Sequence, residues 1–331
     1  MSRAQLTSTV EQSSGGVVAP FLAGKNKIIN GDFNIWQRGT SFSLNGGNIY
    51  TADRWFVNYD GSGATRTVSQ QTFTPGSAPV AGYESAYFFR LATTVAGSGQ
   101  TYANITQRIE DVRIFAGQTV TVSFWAKADS AISFYVGFGQ NFGSGGSSTV
   151  YPTGTTFTLS TSWARYTTQI AIPSVAGKTI GAGSFIEIDF SYPKNATFTL
   201  DIWGVQLEAG SVATPFTTAS NTLQGELALC QRYYYTPTGG IGILASYYGT
   251  TSCYGYINLP VFMRTTPTIT VASQTGATVF SAGTSRAATA IASDTPTVSG
   301  VGLAITTSSA TAGNVASAVV NNGAVSWSAE L

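Results

Sequence analysis

A two-residue alternation recurring between about residues 27 and 216 constrains this chain most. It is cleanest in Thr119–Ala128, where Val120, Val122, Phe124 and Ala126 point one way and Thr121, Ser123, Trp125 and Lys127 the other. A side-chain period of two belongs to a strand with one buried face, not to a helix. The runs Ala131–Gly139, Ala164–Ile172, Ser184–Phe190 and Thr197–Glu208 read as further strands, with glycine-rich loops at Gly61–Gly63 and Gly143–Gly146. Short strands separated by turn signals predict a β-sandwich or jelly roll over residues 27–216. Ala131–Gly139 follows Thr119–Ala128 after a short turn, so the two are expected to pair as a hairpin.

The pattern changes near Asn221. Leu223, Leu227 and Cys230 fall at i, i+4 and i+7, one face of a helix, with Asn221 as its cap. Residues 217–235 are assigned as a helical linker, whose Leu223 and Leu227 either pack on the sandwich or form a seam between subunits. Strands resume over residues 236–331 as a smaller carboxy-terminal β domain. Its stretch GLAITTSSATAGNVASAVV offers small side chains, hence a thin core that oligomerisation would remedy. The fold class expected is therefore all-β: a jelly-roll sandwich, a short helix and a second β domain. Residues 1–26 are polar around the patch Val17–Leu22 and are expected to form an arm that orders against an assembly partner.

Composition narrows the chemistry. Histidine is absent and only 9% of residues are charged, against about a quarter in ordinary soluble proteins. No Ser-His-Asp or Cys-His nucleophile, His-ligated zinc or haem iron can be built. A net charge of +1 supplies no counterion-release drive toward duplex nucleic acid. Cys230 and Cys253 are too few for a disulfide framework and read as buried free thiols. No apolar stretch has the length of a signal peptide or a membrane span, so membrane insertion is not expected. Synthesis in a host cytoplasm and release by lysis would reconcile this with an extracellular-looking composition.

Candidate site residues are few. Trp36, Trp55, Tyr59 and Tyr83 lie among polar and glycine residues, where exposed rings could stack on the apolar face of a sugar; core packing is the competing reading. Trp125 and Trp203 lie in strands and read as core, and Trp163 is undecided. Asp32 and Asp201, near the first and last strands, are oxygen donors for a structural Ca²⁺, with turn capping the alternative for Asp32. No cofactor is required. Glu187 and Asp189 share a strand face, the one arrangement that sugar hydrolysis by paired carboxylates would need. Without histidine, ligand binding is expected to vary little between about pH 6 and 8.

Three segments carry a resemblance. Asn26–Phe42 (NKIINGDFNIWQRGTSF) with Tyr50–Trp55 (YTADRW) resembles the opening of a sandwich domain of bacteriophage tail-fibre proteins. Asp201–Phe216 (DIWGVQLEAGSVATPF) is similar to that domain's closing strand. Leu227–Tyr235 and Leu259–Val271 resemble a carboxy-terminal module attached to it. The sandwich is also similar to jelly-roll carbohydrate-binding modules with an NGDFE-like first strand, Asn34 standing in place of the acidic residue. The resemblance implies a non-enzymatic virion fibre protein, homotrimeric, attached to a phage tail or baseplate protein through its amino-terminal arm. Its partner would be a host-surface glycan. A capsid- or tail-decorating protein and a polysaccharide-degrading tailspike are the alternatives.

Overall fold

The computed structural model describes residues 24–44, 46–47, 49–80 and 82–331. The arm expected over residues 1–26 lies largely outside them. Lys25 and Asn26 already belong to the sandwich: Lys25 pairs with Glu208 at 3.1 Å, and the Asn26 amide donates to the Val205 and Thr217 carbonyls.

Twelve strands build the sandwich. They are β1 (Ser41–Leu44), β2 (Ile49–Tyr50), β3 (Phe56–Tyr59), β4 (Thr65–Thr72), β5 (Tyr87–Val95), β6 (Ala103–Glu110), β7 (Thr119–Ala128), β8 (Ser133–Asn141), β9 (Thr155–Thr158), β10 (Ala164–Ala171), β11 (Phe185–Ser191) and β12 (Phe198–Ala209). One sheet runs β1-β4-β5-β12-β7-β10 and the other β2-β3-β6-β11-β8-β9. The all-β, jelly-roll expectation is met. The hairpin is not: β7 pairs with β10 and β12, whereas β8 pairs with β11 and β9 in the opposite sheet. Both strands are apolar on their inner faces, and they meet across the core, with the rings of Phe124 and Phe134 5.7 Å apart. Phe124 also contacts Phe157, Tyr166 and Phe190. Burial of such a ring contributes about 1.5–3 kcal/mol.

The opening segment is fixed by its own side chains. Asn30, at φ +56°, donates to the Ile35 and Asp53 carbonyls, accepts from the Ile35 amide, and takes the Trp55 indole N–H on its own carbonyl. Gly31 is obligatory, because a Cβ there would stand 2.2 Å from the Val205 carbonyl oxygen.

The helix α1 (Leu223–Gln231) is capped by Thr222, which accepts from the Gly225 amide, and not by Asn221. Asn221 sits one residue earlier at φ +62°. The carboxy-terminal unit holds β13 (Tyr234–Tyr235), β14 (Ile241–Tyr247), β15 (Ser252–Asn258), β16 (Thr268–Val271), β17 (Ala277–Ser281), β18 (Thr284–Asp294), β19 (Gly300–Thr307), β20 (Val315–Val320) and β21 (Val325–Ser328). β14-β15-β19-β18-β17-β20 close into a barrel, while β13-β21-β16 form a small sheet beside it. The barrel interior mixes Ile243, Val279, Ile291 and Leu303 with Ala277, Ala288, Ala316 and Ala318. Cys230 and Cys253 are buried, free thiols.

Scarce charge is concentrated where the two units meet. Glu330 pairs with Arg38 at 3.0 Å and with Arg54, and Arg232 grips Glu110 through two hydrogen bonds of 3.1 and 3.0 Å. Tyr233 adds a hydrogen bond to Glu110 at 2.5 Å. Arg54 and Glu330 are both largely shielded from water, so each needs the other.

Candidate functional site

The two outer faces of the sandwich differ. That of the first sheet carries Phe88, Trp125 and Trp203, roofed by Phe73, Tyr83 and Phe216 into a second apolar cluster. The Trp203 indole donates to Ser85 Oγ at 2.8 Å, and half-buried Trp163 packs against Phe73 and Phe88. Beside them Asp201 takes a bidentate grip from Arg90 at 2.6 and 2.8 Å and lies 3.6 Å from Lys127. This face is spent on packing and ion pairing.

The outer face of the second sheet is open, and strand register arranges it in rows. One row crosses from Asn58 to Asn104, Ser191, Tyr135 and Thr156. The next holds Phe56, Thr106, Asp189 and Gly137, and the third Arg108, Glu187 and Gly139. Glycine at 137 and 139 lets two tyrosine rings lie down on the sheet. A Cβ at 137 would stand 2.7 Å from Tyr135 Cε1, and one at 139 would stand 3.2 Å from Tyr151 Cε1. Tyr135 is fixed by the Gly154 amide, which donates to its hydroxyl at 3.1 Å. The rings keep a face to solvent, Tyr135 being 37% and Tyr151 70% exposed. Beside this platform lie an amide, hydroxyls, carboxylates and a guanidinium. Ser191 donates to Asn104, Thr106 to Asp189 at 2.7 Å, and Arg108 to Glu187 at 2.7 Å. At the far side Arg108 and Tyr50 both donate to the Leu331 carbonyl, so the carboxy-terminal unit borders the groove.

Glu187 and Asp189 share this groove, as their spacing indicated. The pKa of Asp189 is pushed up from 3.8 to about 7, first by burial and then by the charge of Glu187, with a hydrogen bond between the two acids adding to the rise; Thr106 and Arg108 oppose it. A histidine-free chain thus holds a carboxyl whose proton is retained well above the usual carboxylate range, held there by burial and by Glu187.

The aromatic residues singled out in the sequence lie elsewhere. Trp36, Trp55 and Tyr59 are buried in the sandwich core. Their polar atoms are satisfied internally: the indoles donate to the Phe33 and Asn30 carbonyls, and the Tyr59 hydroxyl donates to Leu44. None can offer a ring face to a ligand. Tyr83 is half-buried against Trp203 and Phe216, and burial foremost, then Asp32, pushes its hydroxyl up to about 12. Polar and glycine neighbours in sequence do not make a ring exposed. Left-handed turns at Asn30, Phe33 and Arg54 fold this segment inward. The usable signal was the spacing Tyr135-x-Gly137-x-Gly139, an aromatic followed by bare positions on one strand face.

Asp32 and Asp201 each have partners within the protein. Asp201 is committed to Arg90 and Lys127. Asp32 is bound by the Asn34 amide and raised to about 6, chiefly by burial and next by Glu226. Among the described residues no three His, Cys, Asp or Glu side chains gather as a metal-binding group. On α1, Leu223 is 67% exposed and Leu227 half-buried, so neither is consumed by packing on the sandwich.

Residues 60–182 match the family model described as a carbohydrate binding domain. The match lies within the sandwich and takes in Tyr135, Tyr151 and the glycine floor. No curated protein matches the chain. Among solved structures, the chain is similar to a CBM4 structure at 17% identity over 55% of this chain and 98% of that one, with a TM-score of 0.34. The amino-terminal cellulose-binding domain of Cellulomonas fimi β-1,4-glucanase C is 20% identical over 40% of this chain and 84% of that one, TM-score 0.30. The enzymatically active domain of tailspike protein 4 of bacteriophage CBA120 is 18% identical over 56% of this chain but only 22% of that one, TM-score 0.35. Scores of this size distinguish neither ligand nor activity.

Proposed function

We propose that this protein binds carbohydrate without cleaving it, along the outer face of the second sheet. The observation that carries this is the pair Tyr135 and Tyr151 laid on Gly137 and Gly139 beside a row of hydrogen-bonding groups. Sugar rings present apolar C–H faces and hydroxyl edges, and this surface offers a counterpart to each. Glu187 is engaged by the Arg108 guanidinium and Asp189 by the Thr106 hydroxyl, which favours binding over hydrolysis. A glycan array probed with purified chain tests the reading. Bound glycan that releases no reducing ends is the expected result; release of reducing ends would assign a hydrolase.

The biological setting belongs to the same proposal. The tail-fibre-like motifs in the opening, closing and carboxy-terminal segments support a virion fibre protein that recognises a host-surface glycan, made in the host cytoplasm and released by lysis. It would be a homotrimer attached to the phage tail or baseplate through its amino-terminal arm, with exposed Leu223 and half-buried Leu227 as a seam between copies. Light scattering is expected to give three chains per particle, and a monomer at micromolar concentration would refute that. Imaging of intact particles would place the chain on the tail, against a shell position for a decorating protein.

A further inference from the structure

The barrel carries a second aromatic surface on the β14–β15 hairpin. Its register sets Ser246 opposite Tyr254 and Tyr247 opposite Cys253. The period of two turns Tyr247 and Cys253 into the barrel, where the Tyr247 hydroxyl bonds Thr307 at 2.8 Å. It turns Ser246 and Tyr254 outward. Tyr248 follows at the turn, its amide donating to the Ser252 carbonyl at 3.0 Å. The rings of Tyr248 and Tyr254 meet edge to face, 6.2 Å apart and 83° to one another. They nevertheless stay open to water, 86% and 40% exposed.

These two rings, with Ser246, Tyr247 and Gly313, line a depression of about 530 Å³, a volume typical of small-molecule sites. Among the described residues no charged side chain lines it. The hydroxyls of Ser246, Tyr248 and Tyr254 form no hydrogen bond among the described residues. Two perpendicular rings make an apolar corner, and three unspent hydroxyls at its rim can each donate and accept. Such a lining supplies no counter-charge for an ion. A neutral pyranose has the matching chemistry: a C–H face for a ring and hydroxyls for the rim. Tyr254 also borders a neighbouring depression of about 420 Å³ that includes Tyr256. Tyr256 lies two residues along β15 on the same face, so a longer glycan would run along that strand.

We propose that Tyr248 and Tyr254 form a second carbohydrate site, on the barrel, which takes a neutral sugar ring. It shares no residue with the sandwich groove and stands without it. The test uses the full chain with the groove silenced by Tyr135→Ala and Tyr151→Ala. Saturation-transfer NMR is recorded with the methyl glycosides of glucose, galactose, mannose and N-acetylglucosamine. At least one glycoside is expected to receive saturation on this background, and adding Tyr248→Ala should reduce the transfer at least tenfold. Tyr254→Phe should keep most of it, since the ring remains. Tyr248 is exposed in a turn, and an unchanged melting temperature verifies the fold of each variant. Three results would overturn the site: no transfer from any of the four glycosides, transfer that survives Tyr248→Ala, or Tyr248→Ala turning an oligomer into a monomer in sedimentation. The last would assign the rings to contact between copies. Failure of the groove reading is separate, showing as wild-type binding that Tyr135→Ala and Tyr151→Ala leave unchanged.

Discussion

Replacing Asp189 by Asn should flatten part of the pH dependence of stability without unfolding the sandwich. The carboxyl is raised from 3.8 to about 7 because it is buried and because Glu187 lies beside it. Between those values the unfolded chain has released this proton and the folded chain still holds it. The native state therefore binds more protons than the unfolded state, and stability falls as pH rises from about 4 to about 7. At about 1.4 kcal/mol per unit of pKa, the interval corresponds to about 4 kcal/mol. Asp189 titrates together with Glu187 and its residue keeps some exposure, which lowers this to about 2 kcal/mol. Asn keeps the oxygen that accepts from the Thr106 hydroxyl and supplies a neutral donor toward Glu187. Asp32 and Asp53, each raised to about 6 with burial as the main cause, slope in the same direction and persist in the variant. The readout is therefore the difference between the two proteins. Urea unfolding followed by tryptophan fluorescence at about pH 4.5 and pH 8 should show the wild type losing about 2 kcal/mol more than Asp189→Asn across that window. Parallel losses would refute the placement of Asp189 as a buried acid paired with Glu187.

Three further substitutions probe other parts of the account. Glu330→Ala strands the buried Arg54 guanidinium and should cost about 3 kcal/mol in chemical denaturation. Phe124→Ala removes a ring shared by both sheets and should cost about 3–5 kcal/mol by the same measurement. Gly137→Ala puts a methyl 2.7 Å from the Tyr135 ring, so glycan affinity should fall severalfold while the melting temperature moves little.

The strands were legible because alternation marks a buried face: Val120, Val122, Phe124 and Ala126 are all fully buried, as their spacing requires. Alternation does not say which strand lies alongside, and so the crossing of β7 and β8 into opposite sheets was hidden. Both readings bury the same residues. The helix was found, but its cap was displaced by one residue, since Asn221 and Thr222 can each cap. Site residues were the least legible. Trp36 and Trp55 have loop-like neighbours, yet they enter the core through left-handed turns that the sequence does not announce. Tyr135 sits inside the apolar run Ala131–Gly139, among residues that pack inward. Only the bare positions at Gly137 and Gly139, read along one face of β8, distinguish a ring lying on the sheet from one packed beneath it. Exposure of the Tyr248–Tyr254 corner depends on closure of the barrel, a long-range property of six strands.

The central claim is that two tyrosines on a glycine floor hold a sugar. Isothermal titration of a glycan selected on the array, with wild type and with the Tyr135→Ala, Tyr151→Ala variant, tests it most directly. Each stacked ring contributes about 1–1.5 kcal/mol, so the account predicts a loss of affinity of about 30- to 140-fold. Equal affinity in the two proteins would contradict it.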